Sequence, residues 1–170
     1  MPWPEGSTLI FPEGMFAPGG LLRMKIITTL PTYNEADNVV PLIEALLRVS
    51  RSMEVLVIDD DSPDGTWKLV EELSSRDARV HLLHRTEERG RGSAGIAGFK
   101  KALELGADIV VEMDADWSHH PRFLRTMLRA SRRADLVIGS RLVRGGGESG
   151  RSGIRTLITY FANLYIRSVL

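Results

Sequence analysis

Residues 110–116 read Val110-Val111-Glu112-Met113-Asp114-Ala115-Asp116, an apolar run that ends in two carboxylates separated by one residue. In an extended segment the side chains of residues i and i+2 point the same way, so Asp114 and Asp116 should converge where the strand ends. Hard divalent cations such as Mg²⁺ and Mn²⁺ bind carboxylate oxygens and complete their coordination with water and phosphate oxygens. The pattern therefore predicts either a metal site facing a phosphate-bearing substrate or a polar loop in which an aspartate caps the next helix.

Composition is typical of a globular protein with a real core. The chain has 170 residues, 43% of them hydrophobic and 26% charged, which fits one folded domain and excludes a disordered or fibrous chain. The absence of cysteine excludes a disulfide framework and thiolate metal sites, and it fits a reducing compartment. No apolar run approaches the roughly eighteen residues that span a bilayer, and the N-terminus lacks the pattern of a signal peptide. We therefore expect a soluble domain.

Residues 1–23 differ in pattern from residues 24–170. The first 23 residues hold four of the eight prolines and four of the sixteen glycines without periodicity, which predicts a loose extension, or alternatively a segment that packs on a neighbour. From Met24 onward strand-like and helix-like segments alternate. The predicted strands cover 25–30, 54–58, 79–84, 108–113 and 135–139, and the predicted helices cover 36–51, 66–75, 93–105 and 121–133. Such alternation indicates an α/β fold with a mostly parallel sheet and crossover helices.

Polar residues follow four of the predicted strands. They lie in the segments 31–35, 59–66, 114–116 and 139–141. Because ligands bind at the carboxyl ends of strands in such sheets, we expect these segments to form one site. Ser62-Pro63-Asp64-Gly65 also predicts a turn that begins a helix. Asp59 and Asp60 directly follow an apolar strand, and their position suits recognition of a nucleoside sugar or base, or of metal-bound water.

Basic residues are concentrated at the C-terminal end of the sequence. Residues 121–170 hold 10 of the 22 basic side chains and only two of the 22 acidic ones. An arginine-rich surface suits phosphate groups, anionic lipid headgroups or nucleic acid. For five of these arginines an ordinary solvated helix face is the stronger interpretation; they are Arg122, Arg125, Arg129, Arg132 and Arg133.

One glycine motif resembles a dinucleotide fingerprint. Residues 90–95, Gly-Arg-Gly-Ser-Ala-Gly, match G-x-G-x-x-G. The match is weak, because the motif follows the third strand rather than the first and polar residues separate it from that strand. A flexible, basic loop that approaches a sugar or phosphate is the better interpretation.

Taken together, the strand-end segments resemble those of glycosyltransferase family 2, and most closely of its dolichol-phosphate (polyprenyl-phosphate) mannose synthases. The resemblance rests on four segments and extends over nearly all of the chain from Met24. The segments are Pro31-Thr32-Tyr33-Asn34-Glu35, Asp59-Asp60-Asp61-Ser62-Pro63-Asp64-Gly65-Thr66, Met113-Asp114-Ala115-Asp116-Trp117-Ser118-His119-His120-Pro121 and Ile138-Gly139-Ser140-Arg141.

The resemblance implies a single-domain GT-A fold, with a Rossmann-like, mostly parallel sheet, over residues 24–170. It implies inverting transfer of mannose from GDP-mannose to dolichyl or another polyprenyl phosphate, with Mg²⁺ or Mn²⁺ as cofactor. In this family the nucleotide is held at positions that correspond here to Pro31, Tyr33, Glu35, Ile58 and Asp60. The D-x-D motif falls on Asp114, Ala115 and Asp116, and the metal is also approached from the position of Ser118, directly or through water. His119 and His120 are expected to be structural, since a hard ion prefers oxygen.

The resemblance also gives three C-terminal residues a role. Arg141, Arg155 and Thr159 would hold the phosphates and the acceptor, and with Asp116 the two arginines form the implied catalytic set. Apolar residues between 154 and 166 repeat at helical spacing, which predicts either an interfacial helix or a helix packed on the core.

The implied partners and location follow from the lipid acceptor. They are GDP-mannose, a polyprenyl phosphate and the cytoplasmic face of a membrane, bound peripherally, with no nucleic acid. The chain stops inside the C-terminal predicted helix, so truncation of the catalytic domain is a further expectation. Two alternatives stay open: another donor such as UDP-glucose, or a noncatalytic fragment that binds a nucleotide sugar.

Overall fold

The computed structural model describes residues 24–87 and 89–140, together with the helical residues 158, 159, 161, 162, 164–166 and 168. The chain divides into two compact units, residues 1–135 and residues 136–170. The predicted N-terminal extension, Arg141 and Arg155 lie outside the described residues.

The first unit is an α/β sandwich built on one parallel sheet. Its elements are β1 (Ile26–Thr32), α1 (Ala36–Leu47), β2 (Met53–Asp59), α2 (Thr66–Arg76), β3 (Val80–His84), α3 (Arg91–Glu104), β4 (Ile109–Glu112), a 3₁₀ turn (Pro121–Phe123) and α4 (Leu124–Ala130). The described strands are parallel and lie in the order β3-β2-β1-β4. The order reverses between β1 and β4, and crevices at such a reversal are where ligands bind in open α/β sheets.

Alternate residues of each strand face opposite sides of the sheet. On one face Ile26, Leu30, Val55 and Val57 pack with α1, α2 and α4, and all four are buried. On the other face a second cluster packs against α3; its buried members are Ile27, Leu56, Ile58, Ala94 and Ala102. Burial on both faces explains why β2 contains the continuous apolar run Val55-Leu56-Val57-Ile58 rather than an alternating pattern.

Most of the predicted elements are confirmed. The four strands and four helices described within residues 24–130 lie within a few residues of their expected bounds, which reflects strong periodicity and fraying at the ends. The predicted strand over 135–139 is wrong. Among the described residues this run pairs with no strand, and Leu136 and Ile138 are each 75% exposed. A β-branched run becomes a strand only when a neighbouring strand receives its hydrogen bonds.

The described part of the C-terminal segment is helical, as predicted. Its large apolar side chains are at least half exposed; they are Ile158, Phe161, Leu164, Tyr165 and Ile166. Within the described residues, no helix combines the length and the hydropathy needed to cross a membrane.

Glycine allows α3 to approach the sheet closely. A Cβ atom on Gly98 would lie 2.8 Å from Ile58 Cδ1, whereas one on Gly92 would meet nothing within 4 Å. We expect Gly98→Ala to lower the free energy of unfolding by about 1–2 kcal/mol through overpacking. Gly92→Ala, the same change on the same helix, should leave it unchanged or raise it by up to about 1 kcal/mol. Urea denaturation measures both, and equal effects would contradict the packing argument.

Candidate functional site

The two carboxylates of the Asp114-Ala115-Asp116 segment leave β4 on the same side. Ala115, between them, is 3% exposed and packs in the core, whereas Asp116 is exposed. Burial thus alternates along residues 113–116, as the period of two predicts, and both acids follow the strand that lies next to β1 at the reversal of strand order.

Asp116 is held in its ionised form. Its Oδ1 accepts a hydrogen bond of 3.0 Å from the backbone N–H of Ser118. The side chain and the backbone N–H of Ser118 hold the pKa of the Asp116 carboxyl below its ordinary value, against a smaller opposing effect of burial. A carboxylate that is ionised throughout the neutral range is a suitable ligand for a divalent cation.

Asp114 is paired with a cation from another element. Arg91, the first residue of α3, places a guanidinium nitrogen 2.5 Å from Asp114 Oδ1. The Asp114 backbone N–H donates to His119 Nδ1 at 3.1 Å, and His120 Nδ1 accepts from the backbone N–H of Arg122. Both histidines thus accept backbone hydrogen bonds, and His119 Nδ1 also lies 3.9 Å from Asp114 Oδ2.

Asp59 is a structural residue. Its side chain is fully buried, and its Oδ2 accepts hydrogen bonds from Thr32 Oγ1 at 2.8 Å and Ser62 Oγ at 2.7 Å. Its Oδ1 accepts the backbone N–H of Ser62 at 2.8 Å. These bonds tie the end of β1 to the loop after β2. The sequence pattern could not separate this acid from its neighbour Asp60.

Asp60 forms a buried ion pair with Arg85. Arg85 Nε lies 3.0 Å from Asp60 Oδ1, and the two side chains are 9% and 8% exposed. Among the described residues no donor is aligned on Oδ1 as a hydrogen bond, so the attraction is mainly Coulombic. Asp60 Oδ2 accepts the backbone N–H of Gly90 at 2.7 Å, and Arg85 donates to Ser93 Oγ at 2.7 Å. Asp60 is thereby joined to the start of α3.

Asp61 belongs to a cluster of charged and aromatic side chains. His84 Nε2 lies 2.9 Å from Asp61 Oδ1, Arg89 donates to Asp61 Oδ2 at 3.1 Å, and Trp67 stacks on His84 with ring centroids 4.3 Å apart. A cleft of about 290 Å³ opens here, and Tyr33, Trp67 and Arg89 are among its lining residues. Aromatic surfaces beside cations can bind a flat ring that carries a phosphate.

The first loop is fastened to the second. The backbone N–H of Glu35 donates to Thr66 Oγ1 at 2.9 Å, and that of Ala36 donates to Asp64 Oδ2 at 3.0 Å. Tyr33 is 52% exposed at this edge, and Pro31 pairs in register with Ile58. The Ile58 side chain is fully buried, so a ligand would meet its backbone rather than its side chain.

Three loops of the site contain backbone in the left-handed region. Asn34, Asp61 and Trp117 are the non-glycine residues with positive φ in the part of the chain that the structure describes, with φ of 60°, 58° and 64°. Each lies just after a different strand. Such conformations cost roughly 1–3 kcal/mol each and persist where the surrounding structure imposes them, which is common at binding sites.

The structure places nine of the sequence-predicted residues at three strand ends, or in the loops that follow them, along one edge of the sheet. They are Pro31, Tyr33, Glu35, Ile58, Asp60, Asp114, Ala115, Asp116 and Ser118. Thr159 is described as part of the second unit. The sequence indicated a basic segment near residues 90–95, but it did not predict that Arg85, Arg89 and Arg91 pair with Asp60, Asp61 and Asp114. The signal that could have indicated these pairs is the occurrence of three arginines between the end of β3 and the first residue of α3.

Comparison with known proteins gives a consistent picture. Residues 29–167 match the model of glycosyl transferase family 2. The chain is 45% identical over 147 residues to an undecaprenyl-phosphate mannosyltransferase of Micrococcus luteus, which covers 86% of this chain and 60% of that protein. It is 41% identical over 148 residues to a polyprenol monophosphomannose synthase of Mycolicibacterium smegmatis, covering 86% and 56%. The chain thus spans between half and two thirds of the length of these two relatives.

A solved structure shares the fold. It is the glucosyl-3-phosphoglycerate synthase of Mycobacterium tuberculosis in complex with Mn²⁺, uridine diphosphate and phosphoglyceric acid. The TM-score is 0.51 at 21% sequence identity, over 69% of this chain and 43% of that one. The likeness is one of fold.

Proposed function

Because this chain belongs to glycosyltransferase family 2, we propose that it is the GT-A-type catalytic region of an enzyme that transfers mannose from GDP-mannose to a polyprenyl phosphate. The observation that carries the proposal is the pair Asp114 and Asp116 at the reversal of strand order, in a chain 40–45% identical to polyprenyl-type phosphomannose synthases. The lipid acceptor supports peripheral association with the cytoplasmic face of a membrane.

The donor set of Asp114 and Asp116, with Ser118 beside them, fits Mg²⁺ or Mn²⁺. These ions are commonly bound through one or two carboxylates, with water and substrate phosphates completing the coordination. A third acidic ligand is therefore not required. The described residues contain no cluster of three or more acidic, histidine or cysteine side chains that could hold a metal ion. The site also accepts a positive charge at this place, because a guanidinium already lies against Asp114. When bound, the ion would neutralise charge on the diphosphate leaving group.

The reaction needs alignment and charge neutralisation more than a general base. The acceptor phosphate is already anionic. One of its oxygens attacks the anomeric carbon of mannose from the face opposite the diphosphate, the bond from that carbon to the diphosphate oxygen breaks, and GDP leaves with the electron pair. Inversion at the anomeric carbon follows from this single displacement.

The residues of the first two loops would hold the nucleoside. Tyr33 lies at the cleft beside Trp67, and Asp60 follows β2 at the same edge, where it pairs with Arg85. Pro31 and Ile58 are paired residues near the ends of β1 and β2. Glu35 lies in the loop after β1, and its backbone N–H donates to Thr66 Oγ1. We assign Arg141, Arg155 and Thr159 to the phosphates and the acceptor, following the family pattern.

Transfer of radiolabelled mannose from GDP-mannose to undecaprenyl or dolichyl phosphate, with Mn²⁺ present, tests the proposal. We expect chloroform-soluble labelled product, and more from GDP-mannose than from GDP-glucose or UDP-glucose. Folded protein that binds GDP and forms no product would contradict transferase activity and favour a nucleotide-sugar-binding role. A preference for UDP-glucose would contradict the assigned donor.

A further inference from the structure

The connection from β3 to α3 carries a second set of charges that faces the acids of the site. Arg85, Arg89 and Arg91 each pair with a different carboxylate, on Asp60, Asp61 and Asp114 respectively. They differ sharply in burial: the side chain of Arg85 is 9% exposed, whereas that of Arg91 is 68% exposed. Arg85 is fixed in place, and Arg91 is free to exchange its partner.

Packing of α3 against the end of β4 places Arg91 at Asp114. A Cβ atom on Gly95, one turn after Arg91, would lie 3.3 Å from Glu112 Oε1. Four helical residues rise about 6 Å, and two strand residues rise about 6.6 Å. Since α3 runs back along the sheet, the step from Gly95 to Arg91 on the helix matches the step from Glu112, the last residue of β4, to Asp114 just beyond it. The contact therefore follows from the register of the two elements.

We propose that Arg91 is an exchangeable counter-ion of Asp114, which a divalent cation displaces and which then binds the diphosphate of the donor. The inference rests on the proposed function for the identity of the donor. It assigns to Arg91 two opposing effects. Arg91 competes with the cation when no nucleotide is present, and it contributes to binding once the diphosphate has arrived.

The strengths of these interactions permit such an exchange. An exposed ion pair changes an equilibrium constant by less than about fivefold, so a divalent cation can replace the guanidinium at Asp114. A guanidinium bound to a diphosphate makes charge-assisted and often bidentate hydrogen bonds, which are stronger. The hydrogen bonds from Arg91 to the diphosphate therefore replace the ion pair with Asp114 and are stronger than it.

The test is the binding of Mn²⁺ alone and of GDP with saturating Mn²⁺, measured by calorimetry and by the paramagnetic resonance signal of free Mn²⁺. For Arg91→Gln we expect the dissociation constant of Mn²⁺ alone to fall about threefold and that of GDP to rise about tenfold. Arg91→Lys, which keeps the charge, should lie between the wild type and Arg91→Gln in both measurements.

Arg76→Gln is the matched control. Arg76, the last residue of α2, is 71% exposed and pairs with Glu72 at 2.5 Å, the same separation as Arg91 and Asp114. It should change neither constant. Thermal unfolding identifies any variant that fails to fold. If Arg91→Gln does not fold, Arg91→Lys decides by comparison with the wild type: it should bind Mn²⁺ alone more tightly and GDP more weakly.

Two results would overturn the inference. One is an Arg91→Gln variant that binds Mn²⁺ no more tightly than the wild type, including the case in which neither binds it. The other is a variant in which the affinities for Mn²⁺ and GDP change in the same direction. If the opposite changes occur and no mannose is transferred, the inference holds and the proposed enzyme activity fails.

Discussion

Asp116→Asn should abolish Mn²⁺-dependent binding of GDP and lower mannosyl transfer by roughly 10²–10³-fold. The substitution keeps the volume of the side chain and an oxygen that can accept the backbone N–H of Ser118. It removes the negative charge. A divalent cation held by two carboxylates would then keep only one negatively charged protein ligand. Its binding would weaken, and the diphosphate would lack the ion that neutralises it.

The ionisation of Asp116 makes this result independent of pH across the neutral range. Its pKa is already lowered by the hydrogen bonds from Ser118, so the carboxylate stays charged until the pH falls through that lowered value. A carboxyl with a depressed pKa contributes its favourable interactions above that value and loses them below it. We therefore expect the difference between the wild type and Asp116→Asn to persist from pH 6 to pH 8.

Glu104→Gln is the control for Asp116→Asn. It is the same carboxylate-to-amide change on an exposed side chain at the end of α3, where Glu104 pairs with Lys101 at 3.1 Å. It should leave transfer and GDP binding unchanged. The measurement is the shift in thermal unfolding produced by GDP with and without Mn²⁺, followed by the transfer assay. An Asp116→Asn variant that keeps the metal-dependent shift would rule out Asp116 as a metal ligand.

Arg85→Met should lower the free energy of unfolding by about 3 kcal/mol. The change keeps much of the side-chain length but leaves the buried Asp60 carboxylate without its cation. Removing one partner of a buried pair is costly because the other charge stays in a poorly solvated place. For a chain of this size the midpoint of thermal unfolding should fall by roughly 6–12 °C.

The double variant Asp60→Asn/Arg85→Met distinguishes a buried charge from simple loss of packing. The asparagine is neutral and can still accept the backbone N–H of Gly90 through the oxygen that corresponds to Oδ2. Most of the lost stability should therefore return, as measured by urea denaturation. Arg76→Met, at an exposed ion pair, should cost less than about 0.5 kcal/mol. A double variant less stable than Arg85→Met would show that the Asp60 charge is not the cause.

The acids of the site show how far local pattern leads. Asp114 and Asp116 flank the small, apolar Ala115 at the end of a strand, so their common direction follows from the period of two. Asp59 and Asp60 look alike as neighbours in the sequence. The structure shows that their roles differ. Asp59 accepts hydrogen bonds from its own loop and from β1, whereas Asp60 pairs with Arg85, which follows the neighbouring strand β3.

The strand over 135–139 was wrong for a related reason. Its apolar, β-branched residues satisfy the local criteria for a strand, as do those of β4. β4 differs in that it pairs with β1 over four residues. Strand pairing depends on two segments, so the residue pattern of one segment cannot predict whether a partner strand is available.

The succession of helices and strands in residues 24–130, and the acidic character of the strand ends, are local properties that can be read from the chain because side-chain periodicity and turn residues act over a few positions. The strand order β3-β2-β1-β4 and the partners of the acids are decided only by tertiary structure. Arg85 meets Asp60, and Arg91 meets Asp114, because β3 lies beside β2 and α3 packs on the sheet. Residues more than twenty positions apart come together only after the strands have paired and both faces of the sheet are buried.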